Sequence, residues 1–259
     1  MKRQFTDMTG RTIEVNFPPQ RIVSLVPSQT ELLYDLGLSE EVVGITKFCV
    51  HPNVWFRNKK RIGGTKTVHI DQVNDLQPDL IIANKEENTK EQIEKLAQHF
   101  PVWTSDIKTV GQGLQMICEL GDITGKMIPA LQLCNEISTG FLSLAKTDKP
   151  KKVAYFIWRQ PWMCAGGDTF ISDMITRMGW VNVLAHKDRY PETDLIELVA
   201  LQPEMILLSS EPYPFKDVHI AEIQAVLPRA EIRLVDGEMF SWYGSRMKKA
   251  VPYLQKMLH

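Results

Sequence analysis

The stretch Leu76-Gln77-Pro78-Asp79-Leu80-Ile81-Ile82 returns later in the chain as Leu201-Gln202-Pro203-Glu204-Met205-Ile206-Leu207. Self-similarity of this kind constrains architecture more than any local propensity, because each copy must build the same supersecondary unit. In both copies an apolar helix end runs into proline, which stops the helix, and then into an apolar run of strand length. A second correspondence precedes the first. Residues 21–37 and 152–179 each read as strand, polar loop, helix and glycine. Ile22 to Val26 and Val153 to Trp158 are expected strands, and Glu31 to Leu36 and Phe170 to Met178 expected helices closed by Gly37 and Gly179. Strands alternating with helices imply parallel sheets, whose carboxyl ends are where ligands bind.

The expected fold class is therefore α/β: two lobes, each with a mainly parallel sheet flanked by helices, facing one another across a cleft and joined by one long helix. Between the halves, Ile128, Leu131, Cys134, Ile137, Leu142 and Leu144 form an apolar stripe, with Pro129 in the first turn where proline costs little. The stripe predicts a helix over Lys126 to Ala145, about 30 Å long. A single-helix hinge of that kind implies modest closure. The expected division is an N-terminal hairpin or arm over 1–20, an N-terminal lobe over 21–124, the interlobe helix over 125–147 and a C-terminal lobe over 148–259.

Composition narrows function. Apolar residues are 44% and charged residues 24% of the chain, which suits a packed soluble core. A formal net charge of -1, with no basic block beyond Lys59-Lys60-Arg61, supplies no field for nucleic acid. Cys49, Cys118, Cys134 and Cys164 form no C-x-x-C pair, and Cys118 and Cys134 read as small buried hydrophobes. There is no G-x-S-x-G elbow, P-loop, G-x-G-x-x-G or H-E-x-x-H, so an enzyme is not the expected class. The opening residues lack the apolar stretch of a secretory signal, and no apolar run is long enough to span a bilayer.

PPQRIVSLVPSQTELLYDLGL followed by VVGITKFCVHP, then IGGTKTVHIDQVNDLQPDLIIA, KPKKVAYFI, MCAGGDTFISDMITRMGWVNVL and DGEMFSWYGSRMKKAVPYLQKML, resembles class III substrate-binding proteins of ABC importers. Members of that family bind ferric siderophores, haem or cobalamin, and the phrasing is most similar to the cobalamin branch. The resemblance implies a helical-backbone metal receptor with a pocket lined near Ser28 to Thr30, Phe48 to His51, Trp158 to Cys164, Tyr190 and Glu238 to Arg246. It implies no required cofactor, a small-molecule ligand, an ABC permease as partner, a monomer, and a periplasmic or cell-surface location, or a cytoplasmic one if the missing signal is native. In the cobalamin branch an aspartate matches Glu238 and a tryptophan matches Tyr190, while two pocket tryptophans match Thr65 and Asn84, leaving the N-lobe side less aromatic. Permease docking in the family uses an acid seven residues before each helix-ending proline. Those positions are Asp71 and Ile196 here, with Glu197 one residue out of register.

The residues themselves suggest two clusters. Trp158, Arg159, Trp162 and Met163 follow a buried strand with large amphipathic side chains, which suits a flat ligand, and Arg159 can pair with a carboxylate or phosphate. Phe240, Trp242, Tyr243 and Arg246 lie after the apolar Ile232 to Val235 strand, and Trp242 and Arg246 are expected on one face of the last helix, capped by Ser241 or Ser245. His51 is a candidate metal ligand, and Tyr190 and Tyr243 are candidate phenolates. A corrinoid or iron-complex binder not coupled to a permease, an enzyme using the same cleft and an interaction module are the alternatives.

Overall fold

The computed structural model describes residues 1–144 and 150–258. The chain divides into two compact units: unit 1 is Met1–Asp106, Gly111–Glu136 and Tyr243–Arg246, and unit 2 is Ile107–Val110, Ile137–Trp242 and Met247–His259.

Unit 1 opens with an antiparallel hairpin of β1 (Lys2–Thr6) and β2 (Thr12–Asn16). Its core is a parallel sheet of β3 (Ile22–Ser24), β4 (Val42–Ile45), β5 (Lys60–Arg61), β6 (Leu80–Asn84) and β7 (Val102–Ser105), in the order β5-β4-β3-β6-β7. Helices α1 (Pro27–Asp35), α2 (Asn53–Asn58), α3 (Ile70–Leu76) and α4 (Lys90–Ala97) connect them. Strand β6 is buried along its whole length, and Val23, Leu25, Ile62, Val73, Ile81 and Leu96 form one apolar cluster. Helix α5 (Val110–Ile123) is followed by α6 (Met127–Ser143), whose residues pass from unit 1 to unit 2 after Glu136.

Unit 2 repeats the plan. Strands β8 (Lys152–Trp158), β10 (Val181–Asn182), β11 (Met205–Ser209) and β12 (Glu231–Val235) pair in parallel in the order β10-β8-β11-β12, and β9 (Met163–Cys164) adds an antiparallel pairing to β8. Helices α7 (Phe170–Arg177), α8 (Leu195–Leu201), α9 (Asp217–Gln224), α10 (Glu238–Ser241) and α11 (Arg246–Met257) complete the chain. Strand β8 stands where β3 does, β10 where β4 does, and β11 and β12 where β6 and β7 do.

The repeated Leu-Gln-Pro explains why. Helices α3 and α8 both end at the leucine, and Gln77 and Gln202 take left-handed backbone with φ of 42° and 51°. A residue before proline is barred from the helical region, so the glutamine turns the chain out at once. Gln77 steadies the strained turn with its own side chain, donating to the Asn74 carbonyl at 2.8 Å. Pro78 and Pro203 then feed the chain into β6 and β11, the strands beside β3 and β8.

Two expectations are corrected. The stripe read on α6 is its buried face only in part: Ile137 and Leu144 are buried as expected, but Ile128, Leu131 and Leu142 are exposed, and Ala130 and Phe141 are buried positions outside the stripe. Helix α5 approaches so closely that a Cβ on Gly121 would lie 2.3 Å from the Ala130 Cβ, so at this crossing the small Ala130 faces inward while Ile128 and Leu131 are turned out. Helix α6 ends at Ser143; the expected extension to Ala145, and the segment to Thr147, lie outside the described residues. Trp242 and Arg246 do not share a helical turn either, because Trp242 is the extended residue ending α10 and Arg246 begins α11.

Candidate functional site

In unit 2 the chain leaves β8 to one side of the sheet for β10 and returns on the other side as β11. Strand connections diverge at that point, the place in an open α/β sheet where ligands bind, at the carboxyl ends of β8 and β11. The loops there carry the first predicted cluster. Trp158 is 39% exposed and meets Tyr213 edge-on, with ring centres 5.7 Å apart. Trp162 stacks on Phe215 at 6.2 Å and turns an edge to Phe156 at 5.4 Å, so part of the ring is committed to the unit 2 core. Arg159 is already paired: Nε and Nη2 donate to the two carboxylate oxygens of Glu222 at 3.0 and 3.1 Å, and its guanidinium lies over Trp162. Met163 and Tyr190 are half-buried.

The carboxyl ends of β11 and β12 meet at a residue that the sequence reading missed. Glu211 accepts from Ser241 Oγ at 2.8 Å and from Trp242 Nε1 at 2.9 Å. Its main-chain carbonyl accepts from Ser209 Oγ, which in turn accepts from the buried Tyr155 hydroxyl at 3.1 Å. Burial raises the Glu211 carboxyl above the ordinary carboxylate range, the Ser241 hydrogen bond opposes this, and the charge of Glu238 adds to the rise. Glu238 itself is half-buried on α10, with its N–H on Asp236 Oδ1 at 3.1 Å. Phe240 is fully buried against Tyr155, and Trp242 is 9% exposed, so α10 is fixed from beneath. An acid just beyond a buried strand of the repeat was the available signal for Glu211.

Unit 1 shows a different surface at its own divergence point, beside β3 and β6. Ser28 is buried at the start of α1, and Thr30 is buried, donating to Ser24 Oγ at 2.7 Å and Cys49 Sγ at 3.1 Å. Asn88, also missed, donates to the Leu25 and Thr65 carbonyls and accepts from the Asn84 N–H at 2.9 Å, binding the loop after β6 to the loop after β3. Phe48 is half exposed beside Lys47, and His51 is half-buried. Tyr243 and Arg246 are buried with this unit, and Arg246 Nε donates to Glu31 Oε2 at 2.8 Å, both side chains being almost wholly inaccessible. The sequence reading passed over Glu31, an acid among the buried residues of α1.

The two helix positions seven residues before each proline also differ. Asp71 is exposed in the first turn of α3. Ile196 is 78% exposed on α8. Its neighbour Glu197 accepts from Lys187 Nζ at 2.5 Å and Thr193 Oγ1 at 2.7 Å, and those bonds hold its carboxyl below the usual range. Among the described residues, no group of three or more His, Cys, Asp or Glu is placed to hold a metal ion.

Two α/β units of one strand order, with bulky aromatic side chains at strand carboxyl ends, are the build of a small-molecule binding protein rather than of a structural module. The family model described as periplasmic binding protein matches residues 22–227, and the chain belongs to that family. It is 26% identical over 199 residues to the vitamin B12-binding protein of Vibrio campbellii, covering 75% of this chain and 72% of that one. The fold is similar to the crystal structure of the periplasmic vitamin B12 binding protein BtuF of Vibrio cholerae, with a TM-score of 0.76, 23% identity and coverage of 94% and 98%. It is equally similar to the periplasmic heme binding protein HutB of Vibrio cholerae, with a TM-score of 0.79, 21% identity and coverage of 93% and 99%.

Proposed function

We propose that this protein captures a metal-bearing small molecule, a cobalamin, a haem or a ferric siderophore, for import by an ABC-type permease. The observation that carries the reading is Trp158. A large indole left 39% exposed at the carboxyl end of a central strand, beside Tyr213, whose ring in turn meets Phe215, offers a flat apolar face where a macrocycle can lie. Glu238, half-buried on α10, supplies a hydrogen-bond acceptor for ligand amides or hydroxyls. Phe48, His51, Met163 and Tyr190 are the remaining accessible candidates, with His51 and Tyr190 as possible donors to the ligand's metal. Ser28, Thr30, Phe240, Trp242, Tyr243 and Arg246 are assigned the supporting role, holding the loops that present those groups.

The protein works outside the cytoplasm as a monomer, with 21–124 and 148–259 as its two lobes, connected through α6. Permease docking rests on Asp71. Glu197 contributes little, because its carboxylate is already held by Lys187 and Thr193. Visible absorption spectra recorded while the protein is titrated with cyanocobalamin, haemin and a ferric siderophore test the reading. A saturable one-to-one spectral change with one of them supports it, and no change with any of the three rejects it.

A further inference from the structure

Helices α5 and α6 are joined through Gly125, whose φ of +72° turns the chain sharply, and Gly121 and Ala130 mark the close approach of the pair. One further turn from that contact, three residues back along α5 and four forward along α6, reaches Cys118 and Cys134 on the same facing surfaces. Their sulfurs lie 3.4 Å apart, and Cys134 Sγ also lies 3.4 Å from the Leu114 carbonyl oxygen. Both side chains are only partly buried, whereas Cys49 and Cys164 are fully buried. The sequence reading of Cys118 and Cys134 as small buried hydrophobes is corrected in that both are only half-buried.

We propose that Cys118 and Cys134 are a covalent modification site, at which exchange with an external low-molecular-weight or protein disulfide forms an intramolecular cross-link of α5 to α6. The thiolate of one cysteine attacks a sulfur of the external disulfide, whose S–S bond breaks to release one external thiolate. The thiolate of the second cysteine then attacks the cysteine sulfur of the mixed disulfide. The Cys118–Cys134 bond forms and the second external thiolate leaves. The two protons lost by the cysteines go to the two released thiolates, so the pair is oxidised by two electrons and the external disulfide is reduced to two thiols. Burial, with Cys118 alongside, pushes the Cys134 thiol up to about 12, so the reaction is slow at neutral pH and accelerates as pH rises. Closing the bond requires the sulfurs to approach from 3.4 Å to about 2.0 Å.

The test uses the full-length protein incubated with oxidised glutathione at pH 8, quenched by alkylation and mapped by peptide mass spectrometry. One linked peptide pair containing Cys118 and Cys134 is expected, with Cys49 and Cys164 alkylated only after unfolding. The oxidised protein should melt about 5–10 °C above the dithiothreitol-treated protein, since the cross-link closes a loop in the unfolded chain. Cys118→Ser and Cys134→Ser should each abolish both the linked peptide and the melting shift. Free thiols at both positions after prolonged oxidation, linkage through Cys49 or Cys164, or the same melting shift in either serine variant would overturn the proposal.

Discussion

At the carboxyl ends of β3, β4 and β6, unit 1 places buried, hydrogen-bonded Ser24, Thr30, Thr46 and Asn84, whereas unit 2 places Trp158, Trp162, Tyr213, Phe215 and the carboxylate of Glu211 around β8 and β11. The strand order beneath is the same. What the repeat dictates is the sheet, because the helix-stopping Leu-Gln-Pro and the buried strand after it fix connection and register. The chemistry at the strand ends is set by loops, which neither copy constrains in the other, and function resides there. Unit 1 uses its loops to fix itself, and unit 2 leaves aromatic surface available.

The largest test of this contrast is aimed at unit 1. Removing the carboxylate of the buried Glu31–Arg246 pair takes away a buried hydrogen-bonded counter-charge, so Glu31→Ala should cost about 3–5 kcal/mol in chemical denaturation. The double variant Glu31→Leu/Arg246→Met should regain most of that. Recovery of less than half would show that the pair also serves another purpose.

In unit 2, Trp162→Ala should cost about 2–3 kcal/mol of stability, because the ring is half-buried against Phe215 and Phe156. Unchanged stability with lost ligand affinity would move Trp162 from the core to the ligand.

Glu211 allows a pH test with a definite sign. Its carboxyl titrates above the ordinary range in the folded protein, chiefly through burial, so the folded state holds its proton longer than the unfolded one. Stability from this group is therefore present below the ordinary carboxylate range and lost as pH rises toward the raised value. Glu211→Gln, which keeps an acceptor for the Trp242 indole, should remove that decline, seen as a flatter curve of melting temperature against pH. An unchanged curve would contradict the assignment.

The smallest effects concern the helix pair α3 and α8. In permease-binding assays Asp71→Ala should weaken docking by up to about 1 kcal/mol, in a salt-dependent way, and Glu197→Ala should change it far less. Ile196→Glu, which puts an acid on the exposed face of α8, should strengthen it. Equal losses at Asp71 and Glu197 would break the distinction between the two helices.

Features written locally were legible in the sequence. Proline stops, the glycines at 37 and 179 and alternating strands and helices require no knowledge of distant residues, and they suffice for two parallel α/β units. Positions 31 and 246, 211 and 242, and 118 and 134 were not legible as pairs, since each is joined only after the chain folds back on itself. Part of the α6 stripe failed for a related reason: counting apolar residues favours Ile128 and Leu131, while close approach to Gly121 selects the smaller Ala130. Trp158 ends β8, Trp162 follows it in the turn before β9, and Trp242 follows α10, but sequence gives no means of telling an indole that packs inward from one left at the surface.

That distinction is also the most direct test of the central claim. Trp158→Ala should leave stability within about 0.5 kcal/mol, since the ring is well exposed, yet weaken binding of the authentic ligand at least tenfold, about 1.4 kcal/mol. Fluorescence titrations of the native protein and this variant with cyanocobalamin, haemin and a ferric siderophore measure both affinities. Tight binding of one ligand by the native protein and loss of at least tenfold in the variant is the predicted result. Equal affinity in the two proteins would contradict the assignment of the unit 2 strand ends as the ligand surface.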